Sequence, residues 1–260
     1  MTAIFEGIGR TLLAFLEESG KVTVLLGKTL YWTFKKPSEW KNIVAQMLAI
    51  GNKSLGVVAI TSISTGMILA LQTGTALERK ISGSANFLGG IVSLALAREL
   101  APVLIGLVMA GKIGSAIAAE IGTMNVTEQI DALRTLGTNP IKYLAVPRFL
   151  AAILMLPLLT IAADILGIMG GLLISHNIFE SSPSSFLESM NIYLNTLDVY
   201  KGLAKTISFG AIIAIIGCYK GFETSGGAEG VGKATTSSVV ISSMLILVFD
   251  YLLTWFLWLK

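Results

Sequence analysis

Long apolar stretches separated by short polar segments dominate the chain after its N-terminal segment. They lie at residues 55–77, 87–111, 147–174, 203–219 and 239–259. A helix needs about 20 predominantly apolar residues to cross the roughly 30 Å hydrocarbon core of a bilayer. The pattern therefore predicts five transmembrane helices and an all-α integral membrane fold, with the fourth helix the shortest.

The N-terminal segment has a different pattern, in which apolar and charged positions alternate. Its first apolar positions recur at helical spacing, at Ile4, Phe5, Ile8, Leu12 and Phe15. Lys21 and Lys28 then interrupt the next apolar stretch. This pattern is typical of a helix that lies in the membrane interface; a soluble amphipathic helix packed on a partner is the alternative. We therefore divide the chain into an interfacial segment, residues 1–41, and a five-helix membrane domain, residues 42–260.

Composition excludes a soluble protein and several kinds of site. The 260 residues are 53% hydrophobic and only 13% charged, whereas ordinary soluble domains carry about 25% charged residues. A single cysteine, Cys218, excludes an internal disulfide framework and a cysteine-based zinc site, and a single histidine, His176, excludes a histidine-pair metal site. The net charge of +3 is small, and the basic residues form no stripe for nucleic acid.

The basic residues are distributed unevenly between the two sides that five spans create. If the N-terminus is inside, the cytoplasmic segments carry Arg10, Lys21, Lys28, Lys35, Lys36, Lys41, Lys112, Arg134, Lys142, Arg148, Lys220 and Lys233. The outer segments then carry only Arg79, Lys80, Lys201 and Lys260. Because cytoplasmic loops of membrane proteins are enriched in Lys and Arg, the predicted orientation is N-terminus inside and C-terminus outside.

Small residues recur every four positions along the first two predicted spans. They are Gly66, Ala70 and Gly74 in the first span, and Gly106, Ala110, Gly114 and Ala118 in the second. Faces of small residues let helix backbones approach closely. They predict tight helix packing, either within one chain or between two copies.

Charged side chains within the predicted spans are the main chemical anomaly. Arg98 and Glu99 lie about 18 Å along the second span at 1.5 Å per residue, and Asp250 lies at a similar depth in the fifth. A charge there costs at least about 2.5 kcal/mol, so these groups should be paired inside the bundle. We hypothesise that Arg98 pairs with Asp250, or with Glu99 of a neighbouring copy, as a polar gate; a static buried ion pair is the alternative. Asp164 lies deep in the third span, and Lys205 lies nearer an outer end of the fourth.

The polar segment after the second span predicts a short amphipathic helix at about residues 125–137. Asn125 is a typical helix cap with Glu128 three residues later, and Gly137 followed by Pro140 suits the C-terminal end. One side of this helix carries Val126, Ile130, Leu133 and Leu136. The helix could rest on the membrane, or it could be a coupling helix that docks into an ATPase; the pattern alone leaves both open.

A glycine-rich stretch resembles a nucleotide-binding loop but lacks its context. Residues 227–233 read G-A-E-G-V-G-K and are followed by Ala234 instead of Ser or Thr. A phosphate-binding loop also follows a β-strand, whereas this stretch follows a predicted transmembrane helix. We interpret it as a tight glycine-rich turn. With no nucleophile–base pair or metal cluster in the sequence either, the chain is not predicted to be an enzyme.

Several motifs in the same order resemble those of the MlaE/YrbE permeases, from about residue 40 to the C-terminus. They are Arg98-Glu99-Leu100-x-Pro102, Ala110-Gly111-x-x-Gly114-Ser115-Ala116, Glu120-x-Gly122-x-Met124-x-x-x-Glu128-Gln129-x-x-Ala132-Leu133, Pro147-Arg148 and Gly230-Val231-Gly232-x-Ala234-Thr235-Thr236. In two places the sequence departs from the family: Thr73 and Gly74 follow Leu71-Gln72 where some members have an aromatic residue, and Lys112 stands where others often have Arg.

The resemblance implies a non-catalytic permease subunit of an ABC transporter in the bacterial inner (cytoplasmic) membrane. It implies a homodimer, a partner ATPase that binds ATP and Mg²⁺, and an MCE-domain periplasmic protein, and it allows for a STAS-like cytoplasmic subunit. The implied cargo is phospholipid moved between inner and outer membranes, with a role in lipid asymmetry. The cofactor would belong to the ATPase and not to this chain.

The resemblance also assigns roles to particular residues. Coupling to the ATPase falls to Glu120, Thr127, Glu128, Gln129 and Leu133. A lipid would lie between the first and second spans of both copies, near Met67, Leu71 and Thr75.

Two other classes of membrane protein compete with this interpretation. An ion-coupled secondary carrier would use Glu99, Asp164 or Asp250 as coupling sites and would transport without an ATPase. Such carriers usually contain internal repeats, and five spans do not divide into equal halves. A membrane scaffold would tolerate the loss of every intramembrane charge that folding does not need.

Overall fold

The computed structural model describes residues 2–35, 40–79 and 87–258, except for the side chains of residues 2–11, 14 and 15. Lys36, Lys80 and Lys260, and the side chains of Ile4, Phe5, Ile8, Arg10 and Phe15, therefore lie outside the described residues. Within the described ranges all regular secondary structure is helical, which confirms the predicted all-α fold.

Long helices joined by short connections make up the described chain. In chain order they are α1 (Thr2–Phe34), α2 (Trp40–Glu78), α3 (Leu88–Val126), α4 (Gln129–Thr135), α5 (Ile141–Phe179), α6 (Pro183–Tyr193), α7 (Thr196–Phe222) and α8 (Gly227–Trp258). Five of them, α2, α3, α5, α7 and α8, are long and apolar enough to cross a membrane, which confirms the predicted number. Most extend beyond the predicted stretches because they continue through polar residues at their ends.

The predicted small-residue faces are sites of close helix packing within a single chain. A Cβ added at Gly66 of α2 would lie 1.8 Å from the carbonyl oxygen of Gly167 in α5. One added at Gly74 would lie 2.4 Å from the ring of Phe179. Close backbone approach matters in a bilayer because van der Waals contact, and not the exclusion of water, holds transmembrane helices together. Glycine at these positions therefore fixes how α2 lies on α5.

Helix α7 occupies the centre of the bundle. It packs against α3, α5 and α8, and its apolar stretch is mostly buried, whereas that of α8 is mostly exposed. Phe209 and Ile213 fill the space between α7 and the second small-residue face, where they approach Gly106 and Gly114 of α3. Every other spanning helix except α2 therefore rests on α7.

Helix α1 is attached lightly to one end of the bundle. Its packed side, which includes Val22, Leu25 and Leu26, contacts the core, and Lys220 at the end of α7 forms an ion pair of 3.0 Å with Glu18. Its other side leaves apolar residues exposed, namely Leu12, Leu13, Leu16, Val24, Leu30, Tyr31 and Phe34. An interfacial helix requires such an unpaired apolar side; the interfacial placement itself stays a prediction.

The polar connection between the third and fourth spans contains an additional helix, α6, which the sequence did not predict. Ser182 caps it by accepting a hydrogen bond from the backbone N–H of Ser185 (3.2 Å), and Pro183 occupies its first turn. Phe186 is buried against Leu88 at the start of α3. Although the segment is rich in serine, this cap and one buried phenylalanine are enough to dock a helix.

Candidate functional site

The buried side chain of Lys205 in α7 is the centre of a polar cluster that joins three spanning helices. This side chain is 0% exposed and its ammonium group donates to Glu99 Oε2 (2.7 Å) and Asp250 Oδ1 (3.0 Å). Thr254 Oγ1 (2.7 Å) and the backbone oxygen of Arg98 (3.2 Å) complete its surroundings. The cluster therefore ties α7 to α3 and α8 with charge-assisted hydrogen bonds, which are about twice as strong as neutral ones.

The local fold of α3 explains why a backbone oxygen is available to Lys205. Pro102 has no N–H, so the carbonyl four residues earlier, that of Arg98, loses its helical partner. The preceding turn, Leu96–Leu100, is wound as a π-helix, a distortion that often accompanies functional sites. Gly202 of α7 then allows close approach, because a Cβ there would lie 2.1 Å from the backbone oxygen of Ala97. Lys205, one turn further along α7, reaches the freed carbonyl.

A second ion pair extends the cluster toward the α6 end of the bundle. Arg98 donates from Nε and Nη2 to Asp198 Oδ1, each at 2.9 Å. Asp198 also accepts from the backbone N–H of Asn195 (3.2 Å) and so completes the N-terminal cap of α7. The ring of Trp258 lies 5.8 Å from the Arg98 guanidinium and 4.9 Å from the Lys205 ammonium, within the range of cation–π attraction.

The predicted pairing of Arg98 with Asp250 is wrong, because Lys205 occupies that position. Lys205 lies nearer the Thr196 end of α7 than its Phe222 end, which agrees with the prediction that it lies nearer one end of its span. Helix α7 begins at Thr196, before the apolar stretch that predicted it, so Lys205 lies nine residues along the helix, or about 14 Å at 1.5 Å per residue. The Asn195–Asp198 cap was the sequence signal that could have located this helix start. Pairing of Arg98 with Glu99 of a neighbouring copy stays a prediction.

Asp164 does not belong to this cluster. It lies in α5 with 8% of its surface exposed, and its Oδ1 atom is buried without a hydrogen-bond partner among the described residues. A buried carboxylate oxygen without a partner is costly. Asp164 is therefore the intramembrane acid that the described part of the chain leaves least satisfied.

At the opposite end of the bundle, the predicted cap of the coupling helix is wrong. Asn125 lies in the last turn of α3, and its amide donates to the backbone oxygens of Phe222 (3.1 Å) and Thr224 (2.9 Å). The chain turns at Thr127 and Glu128, with Glu128 in the left-handed region at φ 61° and without a side-chain cap for α4. The helix of the second span continues to Val126, so Asn125 is not free to start a new one.

The predicted end of this helix is confirmed. Gly137 has φ +73°, and its N–H bonds to Arg134 O at 3.0 Å. The next N–H, that of Thr138, bonds to Leu133 O at 3.0 Å. This is the usual glycine-terminated end of a helix.

The residues that resemblance assigned to coupling are divided between two environments. Thr127, Glu128 and Gln129 are exposed, with the Gln129 amide donating to Thr127 Oγ1 at 3.0 Å. Leu133, in contrast, packs against the core, so its side chain faces inward. Leu136, on the same side of the predicted helix, is 79% exposed and is better placed to meet a partner.

Glu120 forms the ion pair that joins α3 to α5 beside α4. Arg148 Nη2 lies 2.8 Å from Glu120 Oε2, and the arginine and glutamate side chains are 9% and 58% exposed. Arg148 also donates to the backbone oxygen of Leu144 (2.9 Å), while its buried Nε atom has no partner among the described residues. In the sequence, Arg148 belongs to the Pro147-Arg148 motif, but the motif alone does not indicate its partner.

The remaining candidates lie outside both clusters. Met67, Leu71 and Thr75 follow one side of α2, with Leu71 39% exposed and the Thr75 hydroxyl donating to Leu71 O at 2.9 Å. Whether they contact lipid stays a prediction.

The glycine-rich stretch was predicted to be a turn but instead begins α8 at Gly227, and Lys233 pairs with Glu229 at 2.7 Å. A helix there cannot wrap a phosphate as a P-loop does. Among the described residues, no group of three or more His, Cys, Asp or Glu side chains could hold a metal ion.

Comparison with known proteins gives consistent matches over nearly the whole chain. The family model described as Permease MlaE matches residues 43–256. A probable ABC transporter permease of Rickettsia prowazekii is 45% identical over 247 residues, 95% of each chain. One of Synechocystis sp. is 46% identical over 215 residues, 83% of this chain and 81% of the relative. The chloroplastic protein TRIGALACTOSYLDIACYLGLYCEROL 1 of Arabidopsis thaliana is 40% identical over 235 residues, 90% of this chain and 67% of the relative.

Proposed function

The chain belongs to the MlaE family of permeases, and from this premise we propose that it is the membrane subunit of an ABC transporter that moves phospholipid between membranes. The observation that carries the proposal is the family match over residues 43–256, which includes three of the spanning helices in full and nearly all of α2 and α8. ATP is bound and hydrolysed by a separate subunit. The chain itself is a permease subunit and supplies the lipid path.

The names of the relatives support both halves of the proposal. The Rickettsia and Synechocystis relatives are named as probable ABC transporter permeases, which supports a partner ATPase. The Arabidopsis relative is named after a galactosylated diacylglycerol, which supports a lipid cargo. The phospholipid assignment, the bacterial inner membrane and an MCE-domain partner on the outer side follow from the motif resemblance, as does the STAS-like subunit.

Helix α4 is the proposed contact with the ATPase. It is short and lies on the side with the excess of basic residues, and the helix with its two flanking residues exposes Glu128, Gln129 and Leu136. Its buried side, which includes Ile130, anchors it to the core. A helix that is anchored on one side and exposed on the other can transfer a push from a docked partner.

Helix α7 is the proposed route from α4 to the intramembrane cluster. The Asn125 amide joins the last turn of α3, which leads directly into α4, to the backbone oxygens of Phe222 and Thr224 at the end of α7. Lys205 joins the other half of α7 to α3 and α8. We assign the Lys205 cluster the role of a static clamp that keeps these helices together when α4 is moved. The complete burial of its ammonium group supports a clamp over a gate.

A homodimer is the proposed assembly. Helix α8 contributes little to the core of a single chain and exposes Met244, Leu247, Val248, Tyr251 and Trp255, while α2 exposes Leu71 beside Met67 and Thr75. A second copy would bury part of these surfaces, and a lipid would lie between the α2 and α3 helices of the two copies.

Copurification from the native host tests the ATPase assignment. We expect the tagged full-length chain, extracted in mild detergent, to bring a stoichiometric protein with nucleotide-binding motifs. The substitution Leu136→Asp should remove that protein, whereas Ile192→Asp should not. Both leucine and isoleucine are highly exposed (79% and 70%), but Ile192 lies on α6 at the opposite end. A preparation without any ATPase, or one that Leu136→Asp leaves unchanged, would contradict the proposal.

An ion-coupled secondary carrier is the second candidate, because Asp164 is a buried intramembrane carboxylate with an unpartnered oxygen. Glu99 and Asp250 are already engaged by Lys205. A carrier would transport in vesicles that contain this chain alone when an ion gradient is imposed, and Asp164→Asn would abolish that transport. ATP-dependent transport that requires the second subunit would eliminate the carrier.

A further inference from the structure

A cavity of about 800 Å³ lies between α1, the connection from α4 to α5, and the end of α7. It is separate from the Lys205 cluster and from the exposed side of α2. Its volume is within the range usual for small-molecule sites, about 300–1,000 Å³. None of the residues assigned above to coupling or transport lines it.

The charge of the cavity is predominantly positive. Lys21, Lys28 and Arg134 line it, and Glu223 is the one acidic residue among its lining side chains. Lys28 forms no ion pair within the described part of the chain, and the pairs of Lys21 with Glu17 and of Arg134 with Asp131 are solvent-exposed, where such pairs contribute little. The Glu17 carboxylate raises the pKa of Lys21. Lys28 can therefore bind an anion directly, and Lys21 and Arg134 can do so by exchanging their exposed carboxylate partners.

Apolar side chains form the rest of the wall. Val24 and Leu25 of α1, Ile141 of α5 and Phe222 of α7 are among its lining residues. Val24 also belongs to the exposed apolar side of α1, which includes Leu13, Leu16 and Tyr31. The cavity is thus continuous with the surface that an interfacial helix turns toward the bilayer. A ligand that fits must have a negative head and an apolar body.

We propose that this cavity binds the phosphate headgroup of an anionic phospholipid from the leaflet on the N-terminal side of the membrane. Lysine side chains lay their apolar stems along such a surface and hold their ammonium groups at the headgroup level. A free phosphate would satisfy the cations but not the apolar wall. A protein partner would have to enter between α1 and the α4–α5 connection. Phospholipid satisfies both kinds of wall.

An occupying lipid would join α1 to the base of α4. The cavity is lined on one side by α1 and on the other by Arg134 and residues 137–141, which follow α4 directly. Helix α1 otherwise holds the bundle through few contacts. The anionic lipid therefore acts as a brace for the element that the ATPase is proposed to contact, and the transporter would respond to the lipid composition of its own membrane.

Two substitutions on α1 separate this site from general attraction to a charged membrane. Gly20 lines the cavity and a Cβ there would meet no atom within 4 Å, so Gly20→Trp fills the cavity without a change of charge. Gly27 lies two turns further along the same helix, is equally open and does not line the cavity, so Gly27→Trp is the matched control. Tryptophan is at least as good a helix former as glycine, so neither variant should unfold α1.

The test is native mass spectrometry of the full-length chain released from nanodiscs of phosphatidylglycerol and phosphatidylcholine. We expect wild type and Gly27→Trp to retain about one phosphatidylglycerol per chain. Gly20→Trp should retain at least about tenfold less. Each basic residue near an anionic membrane contributes about fivefold, so Lys21→Gln/Lys28→Gln/Arg134→Gln should lose about a hundredfold. The control Lys41→Gln/Lys53→Gln/Lys233→Gln, which removes the same charge elsewhere, should retain the lipid.

Each other outcome would overturn the assignment. Equal phosphatidylglycerol retention by Gly20→Trp and wild type would place the lipid elsewhere. Displacement of the lipid by inorganic phosphate would make the site one for a soluble anion. If Gly20→Trp leaves lipid retention unchanged but releases the copurifying ATPase, the cavity is a protein-docking surface.

Discussion

Lys205 and Arg148 are both buried basic side chains, at opposite ends of the same bundle, but their surroundings differ. The Lys205 ammonium is 0% exposed and meets two carboxylates, a hydroxyl and a backbone carbonyl. The Arg148 side chain is 9% exposed and meets one carboxylate, that of Glu120, which is itself 58% exposed. Arg148 also keeps one buried nitrogen without a partner in the described chain.

The difference separates a closed polar cluster from an open one. A closed cluster stabilises a membrane protein because each charge that lipid would penalise already has its partner. An open cluster contributes less to stability, but its exposed member can exchange partners when another subunit arrives. We therefore expect substitutions near Lys205 to act mainly on folding, and substitutions near Glu120 to act mainly on coupling.

Removal of the central cation should have the largest effect. Lys205→Met leaves Asp250 (17% exposed) and Glu99 (39% exposed) without a counter-charge. The loss of one partner from a buried pair costs about 3–5 kcal/mol, and because these carboxylates are only partly buried we expect the lower end, about 3 kcal/mol. For a chain of this size a loss of about 3 kcal/mol lowers the Tm by about 6–12 °C. Thermal unfolding in detergent, followed by size-exclusion chromatography, measures the shift.

Two further variants show whether the loss of charge causes the decrease in Tm. Lys233→Met removes an ammonium whose side chain is 76% exposed, and it should leave the Tm close to that of wild type. Adding Glu99→Gln and Asp250→Asn to Lys205→Met should restore much of the loss. A Lys205→Met protein as stable as wild type would show that the cluster is no clamp.

Separation of α7 from α3 should break the same cluster without touching a charge. In Gly202→Ala the new methyl would lie 2.1 Å from Ala97 O, so α7 must move away and Lys205 loses its reach to Arg98 O. Overpacking of this kind costs about 1–3 kcal/mol. The control is Gly56→Ala on α2, where a Cβ meets no atom within 4 Å. Equal thermal stability of the two variants would contradict a cluster that depends on close approach.

The fold was predictable from sequence to the extent that apolar length decides it. Five apolar stretches long enough to cross a bilayer predicted the five spanning helices, and the small-residue faces predicted close helix packing. The helix ends were not predictable in this way, because α2 and α3 continue through polar residues that a bilayer-length criterion leaves out. The small-residue faces also left open whether they pack within one chain or between two copies. The close approach of Gly66 in α2 to Gly167 in α5 shows packing within one chain.

The candidate site was predictable as a set of residues but not as a set of pairs. The free-energy cost of placing a charge inside a membrane span was enough to identify Arg98, Glu99 and Asp250 as unusual. Their partners depend on where α7 begins, which in turn depends on the cap at Asn195. At the other end, Asn125 matched a capping pattern that the continuing helix overrides. The general lesson is that a charge inside a span can be recognised locally, whereas its partner requires the register of another helix.

Neutralisation of Glu99 distinguishes a clamp from a gate. Glutamine can still accept a hydrogen bond from Lys205, which keeps Asp250 as its charged partner, so Glu99→Gln should cost only about 1 kcal/mol of stability. A clamp predicts unchanged ATP-dependent lipid transport by the reconstituted transporter. If transport is lost while the Tm remains near that of wild type, Glu99 is part of a gate.

The smallest effect on stability, and the most specific effect on coupling, is expected at Glu120. Glu120→Gln removes a carboxylate that is 58% exposed, so the free energy of unfolding should change by less than about 1 kcal/mol. Arg148 then loses its charged partner, and α3 and α5 are no longer joined beside α4. We expect ATP-dependent transfer of a fluorescent phospholipid between vesicles to fall about tenfold, a magnitude usual for coupling between sites. Glu229→Gln, which breaks the exposed pair with Lys233 near the same end of the bundle, should transfer lipid at the wild-type rate. Two outcomes would contradict a coupling role for Glu120: a loss of stability as large as that of Gly202→Ala, or normal transport by Glu120→Gln. In either case the Glu120–Arg148 pair would only stabilise the fold, as the Lys205 cluster does. Coupling would then be assigned to the exposed surface of α4.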